Sequence, residues 1–417
     1  MTSIPQRSDA DRIVVTGVGL VTSLGLGLAP TWAGLKAGRV ATAPITRFDT
    51  AGLHTRFACL LPDGLEEAAR ARFKRRFLRT LSDTSRAVLL ATDQMLEDFA
   101  IPLGAFDPAR VGVCIGLGIG VDLSPDRIEK EAADPYGVVR NMHNAAAGRL
   151  GQHYGLLGPC HAVATACASG GDAAGQGVGW LKLGVCDQVI VGGADVVVSR
   201  YLLQSFAAAM ALSERNDDPS TASRPFDRDR DGFVVGEGAG VLMLERLSDA
   251  RARGATVLCE HLAYASTTER GDVMRPEDGG VGMARTLGAA LAASGRRPSE
   301  VDYVNAHGTS TVQNDLCETL AIQAVLGDRA RGVAVSSQKS MLGHTLGAAG
   351  AIELGVTALS IHEGFVTPTM SHKTPGPGMT LDYVAGEGRA QRVEVAMSNS
   401  FGFGGHNSCH VLARLRE

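Results

Sequence analysis

Six short apolar runs, none with the polar alternation of a half-exposed strand, constrain what this chain can fold into. They are RIVVTGVG from Arg12, VGVCIGLGIG from Val111, DQVIVGGAD from Asp187, GVLMLERL from Gly240, VDYVNAHGT from Val301 and VEVAMSNSFG from Val393. Non-alternating strands separated by helical stretches, here 68–99 and 279–294, imply a sheet covered on both faces and so an α/β architecture. The first run is expected to end in a turn at its glycines. With 417 residues, 45% hydrophobic, 52 glycines and 5% aromatic, the chain can bury a large core, and more than one structural unit is expected.

Several function classes are excluded early. The net charge of −4, from 40 Lys+Arg against 44 Asp+Glu, gives no global reason to expect nucleic acid or a membrane surface. The N-terminal MTSIPQRSDADR is polar, and no run of about eighteen apolar residues occurs, so a soluble, cytoplasmic protein is expected. Eight cysteines without CxxC spacing fit neither a zinc knuckle nor a disulfide framework. GLGIG at 116–120 lacks the GxGxxG order, and its glycines fit tight turns better than a nucleotide loop.

An internal echo points to duplication. Residues 170–184 (GGDAAGQGVGWLKLG) and 350–364 (GAIELGVTALSIHEG) are both small-residue-rich, helix-like and closed by glycine, as two closely packed central helices of a repeated βα unit would be. Two similar halves, 1–254 and 255–417, are expected.

Chemistry concentrates on a few positions. Residues 163–171, VATACASGG, place Cys167 between a strand end and a Gly/Ala-rich helix. A helix N-terminus favours thiolate, which predicts a lowered thiol pKa, although a free cysteine also serves as a small core hydrophobe. His307 in NAHGTST and His344 in KSMLGHTLGAAG, with Lys339 five residues earlier, are flanked by small residues that leave an imidazole uncrowded. A thiol nucleophile needs such partners. Residues 399–407, NSFGFGGHN, present backbone N–H groups with little obstruction, as an oxyanion hole requires.

With these residues in hand, the sequence resembles the β-ketoacyl-[acyl-carrier-protein] synthases of the elongating type II kind, within the thiolase-like superfamily. The resemblance runs through VVTGVGLVTSLG, TACASG, ALSERND, SRPFDRDRDGFVVGEGAG, NAHGTST, KSMLGHTLGAAGA and NSFGFGGHN, nearly the whole chain. It implies a duplicated five-layer αβαβα fold, an obligate dimer and a decarboxylative Claisen condensation. Cys167 matches the acylated nucleophile, His307 and His344 the two histidines, and Lys339 the lysine that orders them. The N–H groups of Cys167 and Phe403 match the oxyanion hole, and Phe403 also the aromatic gate. Thr309 and Thr311 match the pantetheine-binding threonines, Ile119 and Phe401 substrate-lining positions. No cofactor is required on this resemblance. A structural monovalent cation near Asn305, Glu353, Ser398 and Asn399 is carried with it, and substrates arrive on phosphopantetheine.

The implied partners are an acidic acyl carrier protein and a second subunit, either a copy of the chain or a chain-length-factor-like relative. Arg70, Arg72, Lys74, Arg75, Arg76 and Arg79 crowd what reads as one helix. Such runs are ordinarily a solvated face. The family's docking patch falls here, which selects Lys74, Arg75 and Arg76, with Arg215 as an outlying contact. Two departures stand out: residues 268–279 place Met274, Arg275 and Pro276 where relatives often carry His-Met-Thr, and the charged segment 121–140 is shortened. They leave fatty acid and polyketide or polyene pathways both open. A silent chain-length-factor-like partner and a thiolase are the alternatives. The intact Cys167, His307 and His344 argue against the first, and Cys409, outside a thiolase-like motif, against the second.

Overall fold

A computed structural model describes residues 8–122 and 124–416 of the chain. The start of the polar N-terminal stretch and position 123 of the shortened segment lie outside the described residues. Ten strands form one sheet: β1 (Ile13–Thr22), β2 (Val111–Gly116), β3 (Cys160–Val163), β4 (Gln188–Asp195), β5 (Gly238–Arg246), β6 (Cys259–Thr268), β7 (Tyr303–Asn305), β8 (Ala334–Ser336), β9 (Val395–Gly402) and β10 (His406–Ala413). Their spatial order is β8-β7-β9-β10-β6-β1-β5-β4-β2-β3. Each set of five therefore repeats one order. Within each, the first and fifth strands pair antiparallel, as do the fifth and fourth, while the fourth and second and the second and third pair parallel. Among the described residues the two sets join in the sheet through Ile13–Val15 of β1 against Cys259–His261 of β6. Position 254 falls in the connection between β5 and β6.

Five helices build the layers: α1 (Asp83–Asp98), α2 (Ser169–Lys182), α3 (Val281–Ser294), α4 (Val312–Leu326) and α5 (Ala349–Glu363). α1 covers β1 and β5 on one outside, and α3 and α4 cover the second set on the other. α2 and α5 pack on each other between the sheet halves, giving the expected αβαβα order. Thirteen of the fifteen α5 residues are buried. Their small-residue pattern has a direct cause: a β-carbon at Gly170 would lie 2.7 Å from Ala351 N, and one at Gly350 2.7 Å from Gly171 N. Close approach of the two backbones requires both glycines.

Two sequence expectations fail here. β1 does not turn at its glycines but continues to Thr22. Gly19 is required inside the strand because a β-carbon there would sit 2.0 Å from the carbonyl oxygen of Ala91 on α1. The single helix expected over 68–99 is three pieces, Leu65–Arg72, Arg75–Leu78 and α1. Phe73 turns extended to bury its ring, and Ser82 caps α1 by accepting the N–H of Ser85 at 3.2 Å. No helix among the described residues is long and apolar enough to cross a membrane. All eight cysteines are free.

Candidate active site

Cys167 sits in the turn 166–168 that leads from β3 into α2. Ala166 takes φ +50°, a conformation rare for a side-chain-bearing residue, so the turn must be held from outside. Ser169 does this: its Oγ accepts the N–H of Thr165 at 2.9 Å and donates to the carbonyl of Ala166 at 2.6 Å. Gly402, at the end of β9, packs directly onto the turn, where a β-carbon would lie 3.1 Å from Cys167 N. The second half thus delivers the Phe403 N–H to the thiol of the first, beside that of Cys167 itself, and both favour negative charge on the sulfur.

The helix terminus does not bring this thiol's pKa below its ordinary value, contrary to expectation. Burial pushes it from 9.0 up to about 11, against the opposing pull of the Lys339 cation and the two N–H groups. The sulfur opens onto the cavity yet is enclosed by protein, and desolvation of the thiolate outweighs the partial charges.

His307 follows β7. Its N–H and that of Gly308 each donate to the buried Glu318 carboxylate at 2.8 Å, and Asn399 Nδ2 donates to the same group at 3.1 Å. His344 is fixed by its N–H on Val234 O at 2.7 Å. The two rings stand perpendicular, centroids 5.2 Å apart. Burial, with the Lys339 cation, holds both well below the ordinary histidine range, so both are neutral at pH 7. The Leu346 N–H donates to His344 Nδ1 at 3.3 Å, which assigns that ring's proton to Nε2. His307 Nδ1 has no partner among the described residues, so nothing fixes its tautomer. Lys339 is 2% exposed and paired with Glu353, whose carboxyl burial pushes up to about 7.

A cavity of about 450 Å³ joins these groups, lined by Cys167, His307, His344, Phe401 and Phe403, by Thr309 and Thr311, and by Ile119. Phe401 is buried with its ring 5.8 Å from His307, whereas Phe403 is 36% exposed at the opening. The Thr309 and Thr311 hydroxyls lie 3.0 Å apart. Met274, Arg275 and Pro276 line the same cavity. The structure therefore gathers from both halves every predicted catalytic and substrate residue except Lys339, which lies buried behind the cavity wall.

The other candidates lie elsewhere. Lys74, Arg75 and Arg76 are exposed and form no ion pair among the described residues, whereas Arg70 is bound to Glu66, and Arg72 to Asp93 and Glu97. Arg215 is half-buried, its Nε without a partner. Within the proposed cation set the amide nitrogens are taken by protein partners. Asn305 Nδ2 donates to Glu353 O at 2.8 Å and Thr357 Oγ1 at 2.9 Å, while the Asn399 amide is bound to Glu318. Asn305 Oδ1, Glu353 Oε2 and Asn399 Oδ1 are buried without partners, and Ser398 pairs with Asn305 in register. No cluster of three or more His, Cys, Asp or Glu suited to a metal occurs among the described residues. Cys409 is buried in β10, outside the cavity.

Sequence reasoning missed Asp195 and Glu318, buried carboxylates whose partners are backbone N–H groups, joined at Glu318 by the Asn399 side-chain amide. Their one signal was a lone acid closing an apolar strand in VIVGGAD and one inside the apolar helix LCETLA. It also missed the aromatic wall of Phe206 and Phe233, rings 5.3 Å apart.

A thiol, two neutral imidazoles and paired backbone donors around one enclosed space are the parts of an acyl-transfer enzyme that works through a thioester. The chain belongs to the β-ketoacyl synthases: the family's N-terminal domain model matches residues 10–250 and its C-terminal domain model 258–373. It is 40% identical over 408 residues to 3-oxoacyl-[acyl-carrier-protein] synthase 2 of Synechocystis sp., covering 95% of this chain and 96% of that one. It is 39% identical to the tetracenomycin polyketide synthase ketoacyl synthase alpha subunit of Streptomyces glaucescens, over 97% and 98%. Among solved structures it matches AntDE:AntF, a type II polyketide acyl carrier protein in complex with its ketosynthase bound to the hexaketide, with TM-score 0.85, 30% identity and coverage of 97% and 100%. Its reaction is the ketosynthase condensation of fatty acid or polyketide biosynthesis, an acyltransferase activity.

Proposed function

We propose that Cys167 carries the growing acyl chain, that His307 serves the acyl-transfer half-reaction and that His344 serves the malonyl half-reaction. The observation behind this reading is the convergence of Cys167, both neutral imidazoles and the Phe403 N–H on one cavity. The Cys167 sulfur attacks the carbonyl of an acyl-pantetheine thioester. Its proton passes to His307, the imidazole whose tautomer nothing fixes, and from there to the departing pantetheine sulfur. The Cys167 and Phe403 N–H groups hold the oxyanion in between. A malonyl thioester then enters along Thr309 and Thr311. Its carboxylate leaves as CO2, and the electron pair of the broken bond forms an enolate whose oxygen accepts the His344 Nε2–H. The enolate carbon attacks the acyl-cysteine carbonyl, the Cys167 sulfur leaves as thiolate and takes a proton from solvent, and the product is a β-ketoacyl thioester two carbons longer.

Three assignments accompany this one. Lys74, Arg75 and Arg76, exposed and without ion pairs among the described residues, dock an acidic carrier protein, with Arg215 at the margin; the AntDE:AntF structure is of a ketosynthase with its carrier protein. The outer edge of β3, where Cys160 and His161 are exposed, pairs with a second subunit, either a copy of the chain or a related subunit. Asn305 Oδ1 and Glu353 Oε2, buried and unpartnered, supply hard oxygens for a monovalent cation, whose charge would offset Glu353 and brace the strand ends without taking part in bond changes.

The test is intact-mass detection of an acyl group on Cys167 after incubation with acyl carrier thioesters. Cys167→Ala is expected to abolish both the adduct and condensation while the fold persists. Wild-type condensation rates in that variant would refute the assignment.

A further inference from the structure

Asp195 closes β4 and is fully buried. Its carboxylate faces no side-chain cation. It accepts backbone N–H groups instead, from Gly118 at 2.9 Å and Gly347 at 2.7 Å on Oδ2, and from Gly120 at 2.7 Å on Oδ1. The Ile119 N–H is shared between the two oxygens at 3.2 and 3.3 Å. Burial pushes the group up to about 6, with the four N–H groups pulling the other way. The donors belong to two loops from different halves, in such close contact that a β-carbon at Gly347 would lie 2.1 Å from Gly118 N.

Both loops bear on the cavity. Ile119 and Leu346 line it, packed in one apolar cluster with Phe206 and Phe233. Leu346 takes φ +53°, a conformation its branched side chain rarely adopts, and the next residue is Gly347, whose N–H Asp195 holds. A carboxylate accepting several backbone donors fixes those backbones more tightly than neutral pairs do. We propose that Asp195 is the positioning residue of the acyl pocket, clamping the 118–120 turn to Gly347 so that Ile119 and Leu346 form a fixed wall for the acyl chain. The inference rests on Cys167 as the acyl acceptor and extends it to what shapes the space beyond the thioester.

Asp195→Asn keeps the shape and splits the clamp. An amide with its oxygen in the Oδ2 position retains Gly118 and Gly347 but turns an NH2 toward the Gly120 N–H, and the reverse orientation frees Gly118 and Gly347. Either way the turn bearing Ile119 loses its fixed place, while the Cys167 and Phe403 donors are untouched. Acylation of Cys167 in the full-length enzyme, followed by intact mass with acetyl- and decanoyl-pantetheine thioesters, separates the outcomes. We expect the decanoyl KM to rise about tenfold, the worth of one charge-assisted hydrogen bond, with kcat little changed and the acetyl parameters moving less than about twofold. Equal losses for both primers, or no change for either, would overturn the proposal. If the Asn variant does not fold, Gly120→Ala strains the same turn at φ +77° and must give the same primer-length split. Absence of any adduct on Cys167 in the unaltered enzyme would overturn the acyl-acceptor reading itself.

Discussion

The pH dependence of Cys167 alkylation tests how this site makes its nucleophile. The structure pushes the thiol up to about 11 by burial, despite the Lys339 cation and two inward N–H groups. At pH 8 a thiol of pKa 9.0 is thiolate in about one molecule in ten, whereas one near 11 is thiolate in about one in a thousand. Iodoacetamide reacts with the thiolate, so its rate at Cys167 should run about two orders of magnitude below that of an unperturbed thiol. It should climb tenfold per pH unit from 7 to 10 without a plateau. The chain carries seven other free cysteines, so the rate is read on the Cys167 peptide, with Cys167→Ala as the blank. Lys339→Ala removes a group that favours the thiolate and should shift the profile to still higher pH. A plateau below pH 9 would refute the reasoning, because it would mean that the helix terminus, not burial, governs the sulfur. The expected outcome requires the thiol proton to leave during attack, which gives the neutral His307 its place in the first half-reaction.

Removing Lys339 as Lys339→Met strands the buried Glu353 carboxyl, whose second oxygen already lacks a partner. A loss of about 3–5 kcal/mol is expected in chemical denaturation, most of it recovered in the Lys339→Met/Glu353→Gln double variant. Full additivity of the two single changes would show that the pair is not coupled. Reversing Arg75 and Arg76 to Glu should raise KM for carrier-bound substrate strongly at low salt and weakly at high salt, with little effect on a free pantetheine thioester. Equal effects on both substrates would remove the docking assignment.

What the sequence revealed follows from how local each signal is. The strands were legible because β1, β4 and β5 are buried almost throughout and carry no alternation. The paired central helices were legible because their close approach admits only small side chains, which leaves a compositional trace at Gly170 and Gly350. The break at Phe73 was not, since the pull that bends the chain there is a core formed by distant segments. The Cys167, His307 and His344 constellation was recognisable from its motifs. The direction of the Cys167 pKa was not, because enclosure by the second half is invisible at the first half's motif. Asp195 and Glu318 escaped for a related reason: their partners are mostly backbone amides, which every residue carries, and the donors to Asp195 lie 75 to 152 positions away.

The repeated topology also shows how one backbone device serves two ends. Ala166 and Leu346, both at positive φ, begin matching turns that open α2 and α5. The next residue is Cys167 in the first half and Gly347 in the second. At Cys167 the N–H points at the sulfur, where an oxyanion can form. At Gly347 the equivalent N–H is already taken by the Asp195 carboxylate at 2.7 Å. On the proposed chemistry, the donor that meets a transient negative charge in one half therefore holds a carboxylate in the other. A single half could not do both: the thiol comes from the first, the imidazoles and the Phe403 donor from the second. Spending the second turn on a fixed carboxylate locks the two loops together around the one site where the charge must come and go.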